Sequence, residues 1–388
     1  MKRTRDRSSR NRDLHAGKGA GATSGSGETR RRAAGGASRA KRGLSDSADT
    51  GARPLDLHSR ATASTVRAKS PHTRRPGGTD TARATLIFAA AGRQDADPPV
   101  PAGTTFARKY FLKHLLGQGA MGAVYLAHDL LLEREVAVKI LLPVHAADPE
   151  LVDSFQNEAV AMASVRHINV VQIYTSGQCD GLLFFVMEYM PGHSVAALIR
   201  ELFGCGESLA LDTVVNIVDQ VSLGLAAMHE RGIFHGDVKP ANMLMDENSH
   251  VAIADFGLVG SSKTPTHSAH AEHPRLVSGG TPLYIAPELI GGRAIPPEER
   301  HLCDVYSLGV SVFEMFTGQG PFQGRTIKKI LKGHLVAPPP KLTKLRPDLP
   351  SAINPVIRRA LAKQPRKRYP SCEELAFAVS RAVQDRAA

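Results

Sequence analysis

Short apolar runs that alternate with polar residues fill the chain from Phe106 to residue 190. These runs are YFLKHLL, AVYLAHD, EVAVKIL, NVVQIYTSG and LLFFVMEYM. Their period is close to two and turn residues separate them, which is typical of antiparallel strands. The pattern therefore predicts five strands in this part of the chain.

Helical periodicity appears after the third run and again throughout the second half of the chain. In DPELVDSFQNEAVAMASV, Asp148 is a suitable N-cap and Pro149 suits the first turn. A longer helix is predicted to end at Gly232. Five strands with one helix, followed by a helical half, predict an α+β fold of two lobes. We expect a small antiparallel β lobe with one helix at 106–190 and a larger α-helical lobe at 191–385.

Residues 1–105 differ in composition, being rich in Arg, Ala, Gly, Ser and Thr, with Phe88 as the lone aromatic residue. Such a segment buries too little apolar surface to offset the entropy of ordering, so we predict a disordered basic tail. Its one apolar run, TLIFAAA, is interpreted as a transient helix rather than as a docking segment.

The formal net charge of +12 is concentrated in this tail. Residues 1–105 contain 21 Lys and Arg against 9 Asp and Glu, whereas the remaining residues contain 28 of each. Blocks such as TRRR could bind nucleic acid or an anionic surface. Acidic residues interrupt these blocks and aromatic side chains for base stacking are missing. The interpretation that we favour is a solubilising extension.

Residues that could ligate metals or form disulfides are scattered. The four cysteines form no CxxC pair, which favours a reducing compartment without disulfides or zinc. His267, His270 and His273 are interpreted as part of a mobile polar loop rather than as a metal or pH-sensing cluster. The N-terminus MKRTRDRSSR lacks the apolar segment of a secretory signal, and no run approaches 18 apolar residues. We expect a cytoplasmic protein without a membrane span.

Three glycines of LLGQGAMGAVYLA fall in the turn between the first two predicted strands. Glycine lets backbone N–H groups approach phosphate oxygens closely. A dinucleotide-binding fold would place a helix after the third glycine, whereas a strand follows here. The pattern indicates a flap over nucleotide phosphates. Its candidate binding residues are Leu116, Gly117, Gln118, Gly119, Ala120, Met121, Gly122, Ala123 and Val124.

Lys139 lies in the third predicted strand, where alternation places it on the same face as Ala137 and Leu141. A solvated lysine at the edge of the sheet is the alternative. A lysine among apolar neighbours needs an anionic partner. Glu158 on the following helix could provide one, since Phe155 and Met162 beside it are expected to face the core, although a lone helical Glu is more often solvated.

The segment FHGDVKPANML carries three polar groups suited to chemistry, Asp237, Lys239 and Asn242. A hairpin with the turn DENS follows, and Asp255 lies at its far end. Antiparallel pairing would bring Asn242 and Asp255 together, and their oxygens are hard ligands suited to Mg²⁺. We predict that these two residues bind metal and that Asp237 is left free to accept a proton.

These motifs, in this order, resemble those of the eukaryotic-type Ser/Thr protein kinases that are common in bacteria. The resemblance covers about residues 106–385 and extends to DFG, at Asp255 to Gly257, and to APE, which ends at Glu288. Asp304 in DVYSLG resembles the buried aspartate of the family. Arg368 matches the arginine that pairs with the glutamate of APE, here Glu288.

The resemblance implies an ATP-dependent enzyme that uses Mg²⁺, with Mn²⁺ as an alternative metal. Lys139, positioned by Glu158, would hold the ATP phosphates. Asp237 would accept the proton of the substrate hydroxyl, and Lys239 would stabilise charge on the transferring phosphoryl group. The implied partners are protein substrates, and self-association for autophosphorylation.

The resemblance also implies an adenine site and a substrate class. Met187 would be the gatekeeper, and the backbones of Glu188 and Met190 would bind adenine. Lys239 and Thr281 in GTPLY resemble the Ser/Thr branch of the family rather than the tyrosine branch.

Gly236 departs from the family pattern, in which most relatives have arginine. That arginine commonly pairs with a phosphorylated residue of the activation segment, and glycine cannot form such a bond. One interpretation is a pseudokinase that only binds nucleotide or partners. We favour an active enzyme, because Lys139, Asp237 and Asp255 are all present.

We predict that activity does not depend on phosphorylation of the activation segment. Alanine at Thr264, Thr266 and Ser278 is expected to leave the transfer rate within about threefold, because Gly236 offers no partner for a phosphate. Steady-state kinetics of the triple variant test this. A hundredfold loss would show that another residue receives the phosphate.

Overall fold

The computed structural model describes residues 97–119, 121–255, 283–291 and 295–385. All of them lie in the unit of the chain that begins at Arg74. Several sequence predictions fall outside the described residues. They concern most of the tail, Ala120, the Phe and Gly of DFG, Thr264, Thr266, Ser278, Thr281 and the three histidines.

Six strands form one antiparallel sheet in the first lobe, in the order β1-β2-β3-β4-β6-β5. They are β1 Thr105–Phe106, β2 Tyr110–Gln118, β3 Gly122–Asp129, β4 Arg134–Leu141, β5 Ile173–Cys179 and β6 Leu182–Glu188. The five predicted strands are present, and β1 is an additional short one. The prediction started β5 too early, at Asn169. Val171 instead donates its N–H to the carbonyl of Ile253 in the second lobe, at 3.0 Å.

Helix α1, Pro149–Ser164, packs on this sheet and is capped as predicted. The carboxylate of Asp148 accepts hydrogen bonds from the backbone N–H of Glu150, at 3.0 Å, and of Leu151. Phe155 is buried, and its ring lies 5.0 Å from the ring of Phe185 on β6. The apolar face of α1 therefore fixes the helix against the inner face of the sheet.

The alternation along β4 separates two apolar clusters. Val136, Val138 and Ile140 belong to a cluster on the outer face of the sheet. Ala137 and Leu141 belong to the main core, which contains the buried side of α1 and continues into the second lobe. Because successive side chains alternate, Lys139 points to the inner face, as predicted.

The described part of the second lobe is mainly helical. Its helices are α2 Val195–Gly204, α3 Leu211–His229, α4 Pro287–Ile290, α5 His301–Thr317, α6 Ile327–Val336, α7 Leu342–Leu345, α8 Ile353–Ala360 and α9 Cys372–Gln384. A short hairpin, β7 Met243–Met245 with β8 Val251–Ile253, lies beside them. This arrangement is the predicted α+β fold with two lobes.

Helix α3 is the predicted long helix of this lobe. Among the described residues it is the one helix that is long and apolar enough to cross a membrane by length and composition. Nine of its residues are buried inside the protein, and it contacts α5 and α9. It has the surroundings of a core helix.

A buried ion pair joins the start of α4 to the loop before α9. Arg368 Nη1 and Nη2 donate to Glu288 Oε1 and Oε2 at 2.6 and 2.7 Å. Arg368 also donates to the carbonyls of Leu302, at 2.8 Å, and Ala362, at 2.9 Å. The predicted pairing of Glu288 with Arg368 is confirmed, and it holds four segments of the lobe together.

Candidate active site

Lys139 lies between two carboxylates at the boundary of the lobes. Its Nζ donates to Glu158 Oε1 at 2.7 Å and to Asp255 Oδ1 at 2.9 Å. The predicted pair of Lys139 with Glu158 is therefore present. Only 11% of the Lys139 side chain is exposed, so a solvated edge lysine is excluded.

Burial and the two carboxylates act in opposite directions on this lysine. Burial lowers the pKa of Lys139, but the charges of Asp255 and Glu158 outweigh it, so the pKa is raised and the ammonium form persists. Burial raises the pKa of Asp255, but Lys139 outweighs that effect and holds the pKa below its usual value. Lys139 is thus a fixed positive charge beside a fixed negative one.

The segment around Asp237 forms a second cluster. Lys239 Nζ donates to Asp237 Oδ2 at 2.6 Å, and Asn242 Nδ2 donates to the same oxygen at 3.2 Å. The role predicted for Asp237, accepting a proton, stays a prediction, and its Oδ2 has two donors in the structure. These bonds fix the orientation of the carboxylate within a part-buried loop.

The hairpin of β7 and β8 brings the two clusters together, as its register predicts. Asn242 precedes β7, and its carbonyl accepts the N–H of Ala254, after β8, at 2.8 Å. Asn242 Nδ2 also lies 3.3 Å from the carbonyl of Asp255. Asp255 has φ of 56°, a left-handed conformation that Asp tolerates better than most residues. Asn242 therefore contacts both Asp237 and Asp255.

Asp304 on α5 holds the backbone that leads to Asp237. Its Oδ2 accepts the N–H of His235 at 2.8 Å and lies 2.7 Å from His229 Nε2, and its Oδ1 accepts the N–H of Gly236 at 2.8 Å. Burial raises the pKa of Asp304, but the hydrogen bond and charge of His229, the charge of His235 and the hydrogen bond from Gly236 outweigh it and lower the pKa. Asp304 is completely buried, in agreement with the resemblance.

Gly236 has a conformational role that the sequence did not reveal. Its φ is 76°, in the left-handed region that costs other residues about 1–2 kcal/mol. The hydrogen bond from its N–H to Asp304 holds it there. The glycine thus relieves backbone strain directly before Asp237, whatever its effect on regulation.

A cavity opens at the junction of the lobes, on the side of β4 that carries Ala137. It is lined by Leu116, Ala137, Met187, Glu188, Tyr189, Met190, Gly192, His193 and Leu244. Four predicted residues are among them, namely Leu116, Met187, Glu188 and Met190. The Glu188 N–H is already bonded to the Gln172 carbonyl, at 2.9 Å. The mostly apolar walls suit a flat heterocycle such as adenine.

Five lining residues were missed, and two of them, Ala137 and Leu244, contribute apolar side chains from different lobes. Ala137 lies two positions before Lys139 on the inner face of β4, so the alternation along this strand could have predicted its place beside the site. Leu244 lies on β7 in the second lobe. This strand has three residues, too few for a periodic pattern to predict which way Leu244 points. Together they supply apolar surface from both lobes.

The predicted flap lies at the end of β2 and the start of β3. Gly117 pairs with Val124 and Gln118 with Ala123 in the sheet, and the Gly119 N–H donates to the Gly122 carbonyl at 2.9 Å. Met121 accepts the N–H of Leu142 at 3.0 Å through its carbonyl. The turn is therefore tied to both β2 and β4.

Gly122 is required for packing as well. A Cβ at Gly122 would lie 2.7 Å from the Ile140 carbonyl oxygen, whereas a Cβ at Gly119 would have nothing nearer than 4.0 Å. We predict that Gly122→Ala lowers the free energy of unfolding by about 1–3 kcal/mol, while Gly119→Ala leaves it nearly unchanged. Urea unfolding of the two variants measures this, and equal effects would contradict it.

The oxygen donors fit a hard divalent cation. Asn242 uses its amide nitrogen for hydrogen bonds within the protein, which leaves Oδ1 for a ligand, and Asp255 adds a carboxylate. Among the described residues, no group of three or more His, Cys, Asp or Glu side chains could hold a metal ion. Two protein oxygens suit Mg²⁺, which keeps water and substrate phosphates as its other ligands.

Comparisons with known proteins agree with this geometry. A family model described as a protein kinase domain matches residues 110–377. Serine/threonine-protein kinase PrkC of Bacillus subtilis is 33% identical over 273 residues, 70% of this chain and 40% of that protein. Serine/threonine-protein kinase PknF of Mycobacterium tuberculosis is 34% identical over 285 residues, 72% of this chain and 57% of that protein. The chain thus spans about half the length of the curated relatives it matches.

Solved structures resemble the fold as well. The crystal structure of the Mycobacterium tuberculosis PknI kinase domain has a TM-score of 0.56 and 31% identity, over 73% of this chain and 99% of that one. The match covers nearly the whole of that domain, which agrees with the two lobes described above.

Proposed function

This chain belongs to the protein kinase family, and on that premise we propose that it is a Ser/Thr protein kinase that transfers the γ-phosphoryl group of ATP to protein hydroxyls. One observation supports this above all: Asn242 joins the cluster of Lys139, Glu158 and Asp255 to the pair of Asp237 and Lys239. This contact supports a single site in which one carboxylate could act as a base, two oxygen donors could hold a metal ion and two ammonium groups could bind phosphate.

The nucleotide would lie in the cavity, with its base between Ala137 and Leu244. Mg²⁺ bound with ATP would supply charge neutralisation for the phosphates, and Asn242 and Asp255 are the residues that would hold it. An ammonium group has three donors. Lys139 spends two of them on Glu158 and Asp255, so a third is available to a phosphate oxygen.

Asp237 would act on the protein substrate. Its carboxylate would accept the proton of a Ser or Thr hydroxyl as the oxygen attacks phosphorus, while the bonds from Lys239 and Asn242 keep the carboxylate aimed at that proton. The ammonium of Lys239 would stabilise the charge that develops on the phosphoryl oxygens. Autophosphorylation and a cytoplasmic location stay predictions.

The test is transfer from labelled ATP to a generic basic protein in the presence of Mg²⁺. Wild type is expected to label Ser and Thr, and Lys139→Met to lower the rate at least about a hundredfold. The surface variant Lys109→Met serves as a control and should match wild type. Nucleotide binding without any transfer by wild type would contradict the proposal and favour a pseudokinase.

A further inference from the structure

A basic surface lies on helix α6 of the second lobe. The stretch 325–347 contains seven Lys and Arg and no Asp or Glu, although the chain after residue 105 is balanced overall. Three of these residues, Lys328, Lys329 and Lys332, are exposed on α6. Within the described part of the chain, no carboxylate forms an ion pair with any of the three.

Apolar residues share this surface. At about 100° per residue, the three lysines fall within one arc of the helix together with Leu335 and Val336. The side chains of Leu335 and Val336 are 39% and 67% exposed. The opposite side of α6 is fixed by His334, which is buried and lies 3.0 Å from the Tyr306 hydroxyl. The outward face thus combines exposed apolar surface with positive charges that have no ion-pair partner among the described residues.

The exposed face of α6 lies on the side of the helix opposite to its contacts with the rest of the lobe. Helix α6 contacts α4, and the His334 ring lies against the backbone of Leu283. Burial and then the hydrogen-bonded Glu314 carboxylate raise the pKa of the next residue, Tyr284, and Asp237 adds a smaller effect in the same direction. The exposed face is therefore open to a partner, while the opposite side of α6 packs on the lobe that carries Asp237.

We propose that the α6 face, made of Lys328, Lys329, Lys332, Leu335 and Val336, is a docking surface for protein substrates that carry an acidic segment interspersed with apolar residues. The proposal rests on the proposed kinase activity and names its substrate class. Charge complementarity selects an acidic partner and would increase its encounter rate. The same argument disfavours the tail of this chain as the occupant of the α6 face, because the tail is itself basic.

Nucleic acid is the other polyanion that such a surface could bind. Helix α6 has no aromatic side chain for stacking on bases, and two large apolar residues on the same face would gain nothing from phosphates. An acidic protein segment with apolar side chains uses both features of the surface, so it is the occupant to which the proposal commits.

The experiment compares two acceptor peptides with the full-length protein. Both peptides contain the same Ser between neutral residues, followed by a Gly/Ser linker and a docking segment. In the acidic peptide this segment combines Leu with Glu and Asp. In the neutral peptide it combines Leu with Gln and Asn. We expect the acidic peptide to have a KM lower by about tenfold at low salt, with equal kcat. The difference should shrink as added salt screens the charges.

Charge reversal locates the effect. The triple variant Lys328→Glu, Lys329→Glu, Lys332→Glu should lose the preference for the acidic peptide and keep wild-type kinetics on the neutral one. The matched control is a second triple variant, Arg200→Glu, Arg358→Glu, Arg381→Glu, which changes the net charge equally at three exposed arginines outside α6. It should keep the preference.

Binding of the labelled acidic peptide, followed by fluorescence anisotropy, separates this proposal from the kinase activity, since it requires no transfer. Equal affinity for both peptides, or equal loss in both triple variants, would overturn the docking surface. So would displacement of the acidic peptide by a DNA duplex that itself binds more tightly through α6. Failure of transfer to every substrate, with docking intact, would count against the proposed function alone.

Discussion

Replacing Asp237 with asparagine is expected to lower kcat by about 10²–10⁴-fold, the range for loss of a general base. Asparagine has nearly the same shape and still accepts the hydrogen bond from Lys239, but its amide cannot take a proton from a Ser or Thr hydroxyl. Affinity for ATP should stay within about threefold, because the proposed nucleotide contacts are made by other residues. Rapid-quench kinetics and nucleotide titration measure the two effects separately.

Asp153→Asn provides the matched control for this experiment. Asp153 is exposed on α1, the same helix that carries Glu158, and its substitution removes an equal charge. We expect wild-type kcat for it. If Asp237→Asn retained more than a tenth of wild-type kcat, Asp237 would not be the base, and the proton would leave by another route.

Replacing Arg368 with methionine is expected to lower the free energy of unfolding by about 3–5 kcal/mol, the usual cost of breaking a buried ion pair from one side. The guanidinium is fully buried and Glu288 nearly so, with 10% exposure of its side chain. The substitution leaves the Glu288 charge without its cationic partner, although the Cys303 thiol still donates to Oε1 at 3.2 Å, and it removes donors from the carbonyls of Leu302 and Ala362. Chemical unfolding monitored by circular dichroism measures this loss.

Two further variants identify the cause of that loss. Arg366, two residues before Arg368, pairs with Glu299, but its side chain is 80% exposed. Arg366→Met should therefore lower the free energy of unfolding by less than about 1 kcal/mol. Adding Glu288→Gln to Arg368→Met should recover part of the stability, because the uncompensated charge disappears. Equal effects of Arg366→Met and Arg368→Met would contradict the role given to burial.

The parts of the fold that follow from periodicity were predictable from the sequence. Alternation along EVAVKIL placed Lys139 on the inner face of β4, and the helical phase of Phe155 and Met162 placed Glu158 opposite it. The contact of Asn242 with Asp255 followed from the register of one hairpin. In each case the regular period of a strand, helix or hairpin predicts which way a side chain points from its position in the sequence.

Irregular backbone was less predictable. Strand β1 has two residues, too few for a period to show, and β5 began late because the neighbouring residues pair with the second lobe. The bond from Lys239 to Asp237 depends on the loop conformation that Asp304 imposes from a distant helix. The left-handed φ of Gly236 has the same origin. No local pattern specifies such contacts, because the elements that create them are far apart in the chain.

The most direct test of the central claim, that these residues form one phosphoryl-transfer site, uses the intact chain with ATP and Mg²⁺. Phosphopeptide mass spectrometry would follow the Ser and Thr residues of an added protein over time, for wild type and for Asp255→Asn. We predict steady labelling by wild type and none above background by Asp255→Asn, because the variant lacks the carboxylate that we propose binds the metal ion. Equal labelling by both proteins would contradict the account.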